Sequence, residues 1–192
     1  MKFDETYFKT LNYTNYFERE IRYQKMAVEL SNYLMKHDIS KSNSLIDYGC
    51  ALGFLVKGFR SLGYKCEGYD ISEWAKQEAM KYGVKFVPFL NSKFDVMFAF
   101  DVFEHMLDDD IKLALTTFNP LWILIRIPCS VDGINFHLEI SKRDPTHINC
   151  KIKQKWLDFF NKNGYFPIEK LDLYTIYDTD GVMCYVLKKY EL

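Results

Sequence analysis

The sequence predicts an α/β fold: a doubly wound, seven-stranded mixed sheet with an antiparallel last strand, behind an N-terminal helical cover. Three stretches of the 192-residue chain carry this reading. Residues 45–72 run strand, glycine turn, helix, strand, acid. Residues 94–100, Phe-Asp-Val-Met-Phe-Ala-Phe, form a near-continuous apolar run, as in a central strand covered on both faces. Near the end, Asp180-Gly181 between two apolar runs is a hairpin signal. A terminal hairpin makes the last strand run against an otherwise mostly parallel sheet.

Each element has its local reason. Tyr16 to about His37 repeats Ile21, Met26, Leu30, Tyr33 and Leu34 at helical spacing, and Asn15 with Glu18 has the spacing of a capping pair. This helix either packs beside the sheet or, with the aromatic residues 7–16, forms a lid over a ligand. Lys41-Ser42-Asn43 links it to the first strand, Leu45-Ile46, which ends at Asp47. After the glycine turn, Leu55, Val56, Phe59 and Leu62 mark a helix stopped by Gly63. The second strand ends on Asp70. Ser72 caps a helix whose face is Trp74, Ala75, Ala79 and Tyr82, ended by Gly83. Residues 84–89 read as a third strand, placed at an edge by Pro88. Asn91-Ser92-Lys93 is a tight link, too short for a further helix. The fourth strand, 94–100, leads to Asp101-Val102-Phe103-Glu104-His105-Met106.

Asp108, Asp109 and Asp110 then sit where a helix N-terminus favours negative charge, and no metal site is assigned to them. Ile111, Ala114, Leu115 and Phe118 are that helix's buried face. Leu121 to Ile127 is the fifth strand. Residues 129–149, with His137 and Asp144-Pro145-Thr146-His147-Ile148-Asn149, form a connection long enough to be functional. A helix follows over 151–163, with Ile152, Trp156, Leu157 and Phe160 inward. Residues 167–177 and 182–187 are the closing pair of strands. The expected organisation is a cover over 1–40 and a catalytic unit over 41–192, together one compact domain.

Composition narrows the function. A net charge of −1 gives no basic surplus for neutralising phosphates, so no nucleic-acid partner is expected. The five cysteines, Cys50, Cys66, Cys129, Cys150 and Cys184, share no C-x-x-C spacing and read as reduced thiols. Lys2, Asp4 and Glu5 interrupt any signal peptide, and no apolar run approaches the ~20 residues of a membrane span. A cytoplasmic location without membrane association is expected; oligomeric state is not legible.

The glycine turn points to a nucleotide-like ligand. Glycines let backbone approach a ligand, a helix N-terminus favours an anionic group, and a carboxylate at a strand tip accepts from ribose hydroxyls. The dinucleotide fingerprint fails, because its later glycines would fall on Ala51 and Phe54, and no Walker loop occurs. What stands is Asp47-x-Gly49-x-Ala51-x-Gly53 with Asp70 downstream. This resembles motif I and the following acidic motif of class I S-adenosylmethionine-dependent methyltransferases, which have a Rossmann-like fold, and the resemblance covers roughly residues 40–190. It implies that Asp47 organises the turn and that Gly49 and Gly53 approach the methionyl part, with Cys50 and Ala51 in the same loop. It also implies that Asp70 holds the ribose and Ile71 lies against the adenine. Ala51 stands where glycine is frequent. Phe89, after the third strand, occupies the usual adenine-edge position, with Asn91 or backbone as the base contact.

The resemblance extends to Asp101-Val102-Phe103-Glu104-His105, with Asp101 and Val102 near the cofactor, and Glu104 and His105 near an acceptor. Glu104 as a helix cap is the plain alternative. His147 is the favoured base, since it lies on a loop at the C-terminal ends of strands and titrates near neutral pH; a loop-holding hydrogen bond is the alternative. The implied activity is methyl transfer from S-adenosyl-L-methionine to an oxygen or nitrogen of a small-molecule acceptor. The competing readings are an NAD-dependent oxidoreductase and a catalytically idle cofactor- or partner-binding domain.

Overall fold

The computed structural model describes residues 3–10, 15–88 and 93–190. At the centre is β1 (Ser44–Tyr48), whose successive residues point to opposite faces. Leu45 joins the core on one side of the sheet and Ile46 the core on the other. β1 pairs in parallel with β2 (Lys65–Tyr69) and β3 (Val96–Phe100), and β3 pairs in parallel with β4 (Trp122–Pro128). β6 (Val182–Lys189) runs antiparallel to β4, and β5 (Tyr165–Lys170) antiparallel to β6. The order is β2-β1-β3-β4-β6-β5. It reverses between β1 and β3, so a crevice opens beyond their C-terminal ends.

The sheet has six strands among the described residues, where seven were expected. Residues 84–88 make only one parallel bridge, Phe86 to Gly68. Gly68 N–H donates to the Lys85 carbonyl and Val87 N–H to the Gly68 carbonyl, and there the pairing stops. Pro88 has no N–H to extend the ladder. Phe89, Asn91 and Ser92 lie outside the described residues.

α1 (Glu5–Lys9) is followed by a 3-10 turn (Tyr16–Arg19) and α2 (Glu20–Lys36). α2 packs on α3 (Phe54–Ser61), where a Cβ on Gly58 would lie 2.7 Å from that of Ala27. The expected Asn15 cap is not made: Asn15 accepts a hydrogen bond from Arg19 instead, at 3.0 Å. Ser72 does cap α4 (Glu73–Lys81), accepting from Ala75 N–H at 3.0 Å. Tyr82, expected on the buried face, is exposed because α4 ends before it. α5 (Asp108–Phe118) and α7 (Lys153–Lys162) cover the other face through Ile111, Phe118, Trp156 and Phe160. On α7, Phe159 is buried while Ile152 and Leu157 are only half so. The 129–149 connection contains a single turn of helix, α6 (Glu139–Lys142). The expected strand over 167–177 starts at Tyr165 and stops at Lys170, with a register shift between Pro167 and Glu169. No helix among the described residues is long and apolar enough to cross a membrane.

Candidate active site

The chain leaves β1 through Asp47 and Tyr48 into a turn whose shape is set by steric limits. Gly49 has φ +77°, and a Cβ there would lie 2.5 Å from Val102 Cγ2. Gly53 has φ +69°, and a Cβ there would lie 2.7 Å from both Val84 methyl carbons. Ala51 adopts φ +47°, a left-handed conformation that costs a non-glycine residue about 1 kcal/mol or more. That is the physical reason glycine suits this position. Cys50 turns its sulfur onto Gly68, where a Cβ would lie 2.6 Å away. Burial, then the Asp47 charge, pushes the Cys50 thiol well up, which keeps it a packing group.

Most amides of this turn are used within the protein. Gly49 and Cys50 N–H groups donate to the Tyr69 carbonyl, Gly53 N–H to the Cys50 carbonyl, and Ala51 N–H to Asp70 Oδ2 at 2.7 Å. What the turn offers at Gly49 is a surface without a side chain. Asp70 Oδ1 accepts from Ser72 N–H at 2.7 Å, so each carboxylate oxygen keeps a lone pair for a further donor. Burial raises the Asp70 pKa, and the two amides oppose that shift. Asp47 is pushed up to about 8 by burial and then by Asp70.

The second half of the site follows β3. Asp101 sits at φ +56°, its N–H donating to the Arg126 carbonyl at 2.8 Å and its carboxylate ion-paired with the Arg126 guanidinium. This kink turns the chain into a 3-10 turn (Phe103–His105) and drives Glu104 inward. Glu104 is 0% exposed, and neither carboxylate oxygen has a hydrogen-bond partner. Burial, then the Asp101 charge, raises its pKa well above the ordinary range.

Residues 144–149 are stitched against it. Ile148 and Asn149 N–H groups both donate to the Glu104 carbonyl at 2.9 Å, and Asn149 Nδ2 reaches the Met106 carbonyl and Asp108. His105 and His147, 42 positions apart, thus meet with ring centroids 4.5 Å apart. Each Nε2 lies 3.9 Å from Glu104 Oε1. Thr146 Oγ1 donates to Asp144 Oδ1 at 2.5 Å and lies 2.8 Å from His105 Nδ1. Since the Thr146 proton goes to the carboxylate, His105 Nδ1 carries the hydrogen and its Nε2 the lone pair. Burial, then His147, lowers the His105 pKa to about 4, and burial lowers that of His147, which favours the neutral form of both rings.

One cavity of about 860 Å³ joins the two halves. Its wall includes Asp47, Gly49, Cys50, Ala51, Asp70, Ile71, Asp101, Val102, Glu104, His105 and His147. Ile71 stands at the rim, 63% exposed. Gly53 is not brought to the wall; it starts α3 behind the turn. Phe89 lies outside the described residues. Among wall residues the sequence reading did not single out are Arg126, Asp144 and Arg22. For Arg126 the signal was present: a lone charge within Leu124-Ile125-Arg126-Ile127. From the N-terminal segment, Phe3, Tyr7, Phe8 and Tyr16 line the same space, with Tyr7 Oη donating to Asp144 Oδ2 at 3.2 Å. Ser72 Oγ donates to the Phe3 carbonyl.

The family model described as a methyltransferase domain matches residues 17–130, more than half of the chain. The chain belongs to the methyltransferase-domain family. It is a class I enzyme of S-adenosylmethionine-dependent type, as motif I and Asp70 suggested. Comparison with curated protein sequences gave no match. Solved methyltransferases share the fold at low identity. An S-adenosylmethionine-dependent methyltransferase from Clostridium acetobutylicum superposes with TM-score 0.68 at 14% identity, over 92% of this chain and 97% of that one. Magnesium protoporphyrin IX methyltransferase from Synechocystis, with bound S-adenosylhomocysteine, gives 0.64 at 16% identity, over 92% and 88%. Mitomycin 7-O-methyltransferase gives 0.62 at 13% identity, over 90% of this methyltransferase and 54% of that longer chain.

Proposed function

We propose that this methyltransferase transfers the methyl group of S-adenosylmethionine to an oxygen or nitrogen of a small-molecule acceptor. The observation that carries the reading is the continuity of one cavity from the Gly49 turn and Asp70 to the buried Glu104 and the half-buried His105 and His147. The residues fit the cofactor: Asp70 has spare lone pairs for ribose hydroxyls, and Gly49 has no room for a Cβ against Val102. The bound cofactor supplies an activated methyl group on a cationic sulfonium. Asp47, Gly49, Ala51 and Asp70 hold it, Ile71 flanks the adenine, and Arg22 on the same wall offers a cation for the amino-acid carboxylate. Asp101 and Val102 stand between cofactor and acceptor.

The acceptor's O–H or N–H faces the imidazole pair. Burial favours the neutral form of both rings, so His147 can take the proton as the nucleophile loses it. Orientation inside the cavity supplies most of the acceleration, worth effective molarities of about 10⁵ M or more. Residues 1–40 act as the cover. Phe3 and Tyr7 support this, since their anchors at Ser72 and Asp144 span the two halves of the site. A cavity of about 860 Å³, within the usual range for small-ligand sites, suits a small acceptor beside the cofactor.

The test is calorimetric titration with S-adenosylhomocysteine and NAD side by side, followed by methyl release over a panel of phenols, sugars, quinols and amines. Binding of the first alone, with turnover of one acceptor class that His147→Ala abolishes, is the expected result. Binding of NAD alone contradicts it. Cofactor binding without turnover on any acceptor supports an idle binding domain instead.

A further inference from the structure

Glu104 presents a problem that the methyl-transfer reading does not solve. Its carboxylate is wholly removed from water and accepts no hydrogen bond, an arrangement that costs several kcal/mol for an ion. The two imidazole Nε2 atoms both stand 3.9 Å from its Oε1. His147 Nδ1 is likewise buried without a hydrogen-bond partner.

We propose that Glu104, His105 and His147 form a binding site for one divalent transition-metal ion at the acceptor end of the cavity. One ligand atom from each residue lies within 4.8 Å of the other two. Ligands about 2.1 Å from a tetrahedral ion are about 3.4 Å apart, so the two 3.9 Å gaps to Glu104 close with shifts of roughly half an ångström, and the two imidazole ligand atoms, within 4.8 Å of each other, with a shift of up to about 1.4 Å. Two neutral imidazoles and one carboxylate suit zinc, iron(II), cobalt(II) or manganese(II), whereas magnesium and calcium prefer oxygen ligands alone. The surrounding groups fit a ligand role. The His105 Nδ1–Thr146–Asp144 chain fixes the imidazole and aims its Nε2 lone pair at the cluster, as partners behind metal-bound histidines do. Asp101 is engaged by Arg126 and is not a ligand.

Three protein ligands leave a coordination position open toward the cavity, as in catalytic rather than structural sites. The acceptor class this fits is an oxygen nucleophile, a phenol, enol or vicinal diol, that binds the ion as its anion. For the acceptor, this step rests on the methyl-transfer reading. With the ion bound, His147 is a ligand and no longer the base: the acceptor hydroxyl loses its proton to water as it binds the ion, and its oxygen then takes the methyl group while the C–S bond breaks and neutral S-adenosylhomocysteine leaves.

The test is metal content by mass spectrometry of protein purified without chelator. It is followed by calorimetric titration of chelator-treated protein with zinc, manganese and magnesium chlorides, each with and without S-adenosylhomocysteine. One equivalent of zinc or manganese with micromolar or tighter affinity is expected, and magnesium at least 100-fold weaker. Glu104→Gln should weaken zinc binding at least 10-fold while retaining S-adenosylhomocysteine binding; Asp70→Ala should do the reverse. Because Glu104→Gln can disturb folding, the wild-type cobalt(II) complex is measured as well. Visible bands of nitrogen-ligated, four- or five-coordinate cobalt are expected, while the pale spectrum of six-oxygen cobalt overturns the site. The absence of stoichiometric zinc, manganese or cobalt binding, or unchanged zinc affinity in a folded Glu104→Gln, also overturns it. S-adenosylhomocysteine binding then still stands or falls by itself.

Discussion

Gly49→Ala probes the steric logic of the cofactor turn. The residue sits at φ +77°, and the added carbon would lie 2.5 Å from Val102 Cγ2 and 3.0 Å from Cγ1. Carbon atoms in contact prefer about 3.5–4.0 Å, so the overlap is about 1 Å. The left-handed backbone costs an alanine about 1–2 kcal/mol. Overpacking a filled site costs about 1–3 kcal/mol more. The sum, about 2–5 kcal/mol, is read as a lowered urea midpoint at unchanged m-value. The two parts separate in a double-mutant cycle. In a Val102→Ala background the overlap disappears and only the backbone cost remains, giving a coupling of about 1–3 kcal/mol. Equal costs of Gly49→Ala in both backgrounds would refute the claim that Val102 is what makes a side chain intolerable here.

Ala51→Gly tests the same turn in the opposite direction. At φ +47°, glycine relieves strain, and a gain of up to about 1 kcal/mol in thermal unfolding is expected; a loss contradicts the assignment. Asp70→Asn removes a charged acceptor from two amides and from the proposed ribose contact. S-adenosylhomocysteine affinity should fall about 10- to 100-fold, from the roughly 1.5–3 kcal/mol of charge-assisted hydrogen bonds, and unchanged affinity refutes the ribose role. Asp47 gives a pH signature. Its folded-state pKa, about 8, lies above the unfolded value of 3.8, so its contribution is whole below the unfolded pKa and is lost as pH rises through about 8. Asp47→Asn has no such proton to lose. It should gain stability relative to the wild type as pH rises over that window and hold a constant offset above it; a gap moving the other way contradicts the buried-carboxyl assignment.

The fold was legible wherever local pattern and tertiary role agree. Leu45-Ile46, the 94–100 run and the Asp180-Gly181 turn marked strands because alternation, double-sided burial and hairpin geometry each leave a local trace. Residues 84–88 look like a strand by composition, yet Gly68 supplies only one bridge and Pro88 ends the ladder. Pairing partners are a tertiary fact that composition does not encode. The strand expected over 167–177 was misjudged for a related reason, since the chain leaves the sheet after Lys170 although its apolar content continues. In the site, Asp47, Ala51, Asp70, Glu104, His105 and His147 all reach the cavity wall. What no spacing could show is that Glu104 is buried without a partner, or that the Asp101–Arg126 pair across β3 and β4 bends the chain to put it there.

The central claim is that one cavity holds a methyl donor at Asp70 and the Gly49 turn and presents it to Glu104, His105 and His147. A crystal structure with S-adenosylhomocysteine bound tests this most directly. The account predicts ribose hydroxyls within hydrogen-bond distance of Asp70 and a sulfur facing the glutamate and the two histidines. A ribose held on another wall, or a sulfur turned away from that cluster, would contradict it.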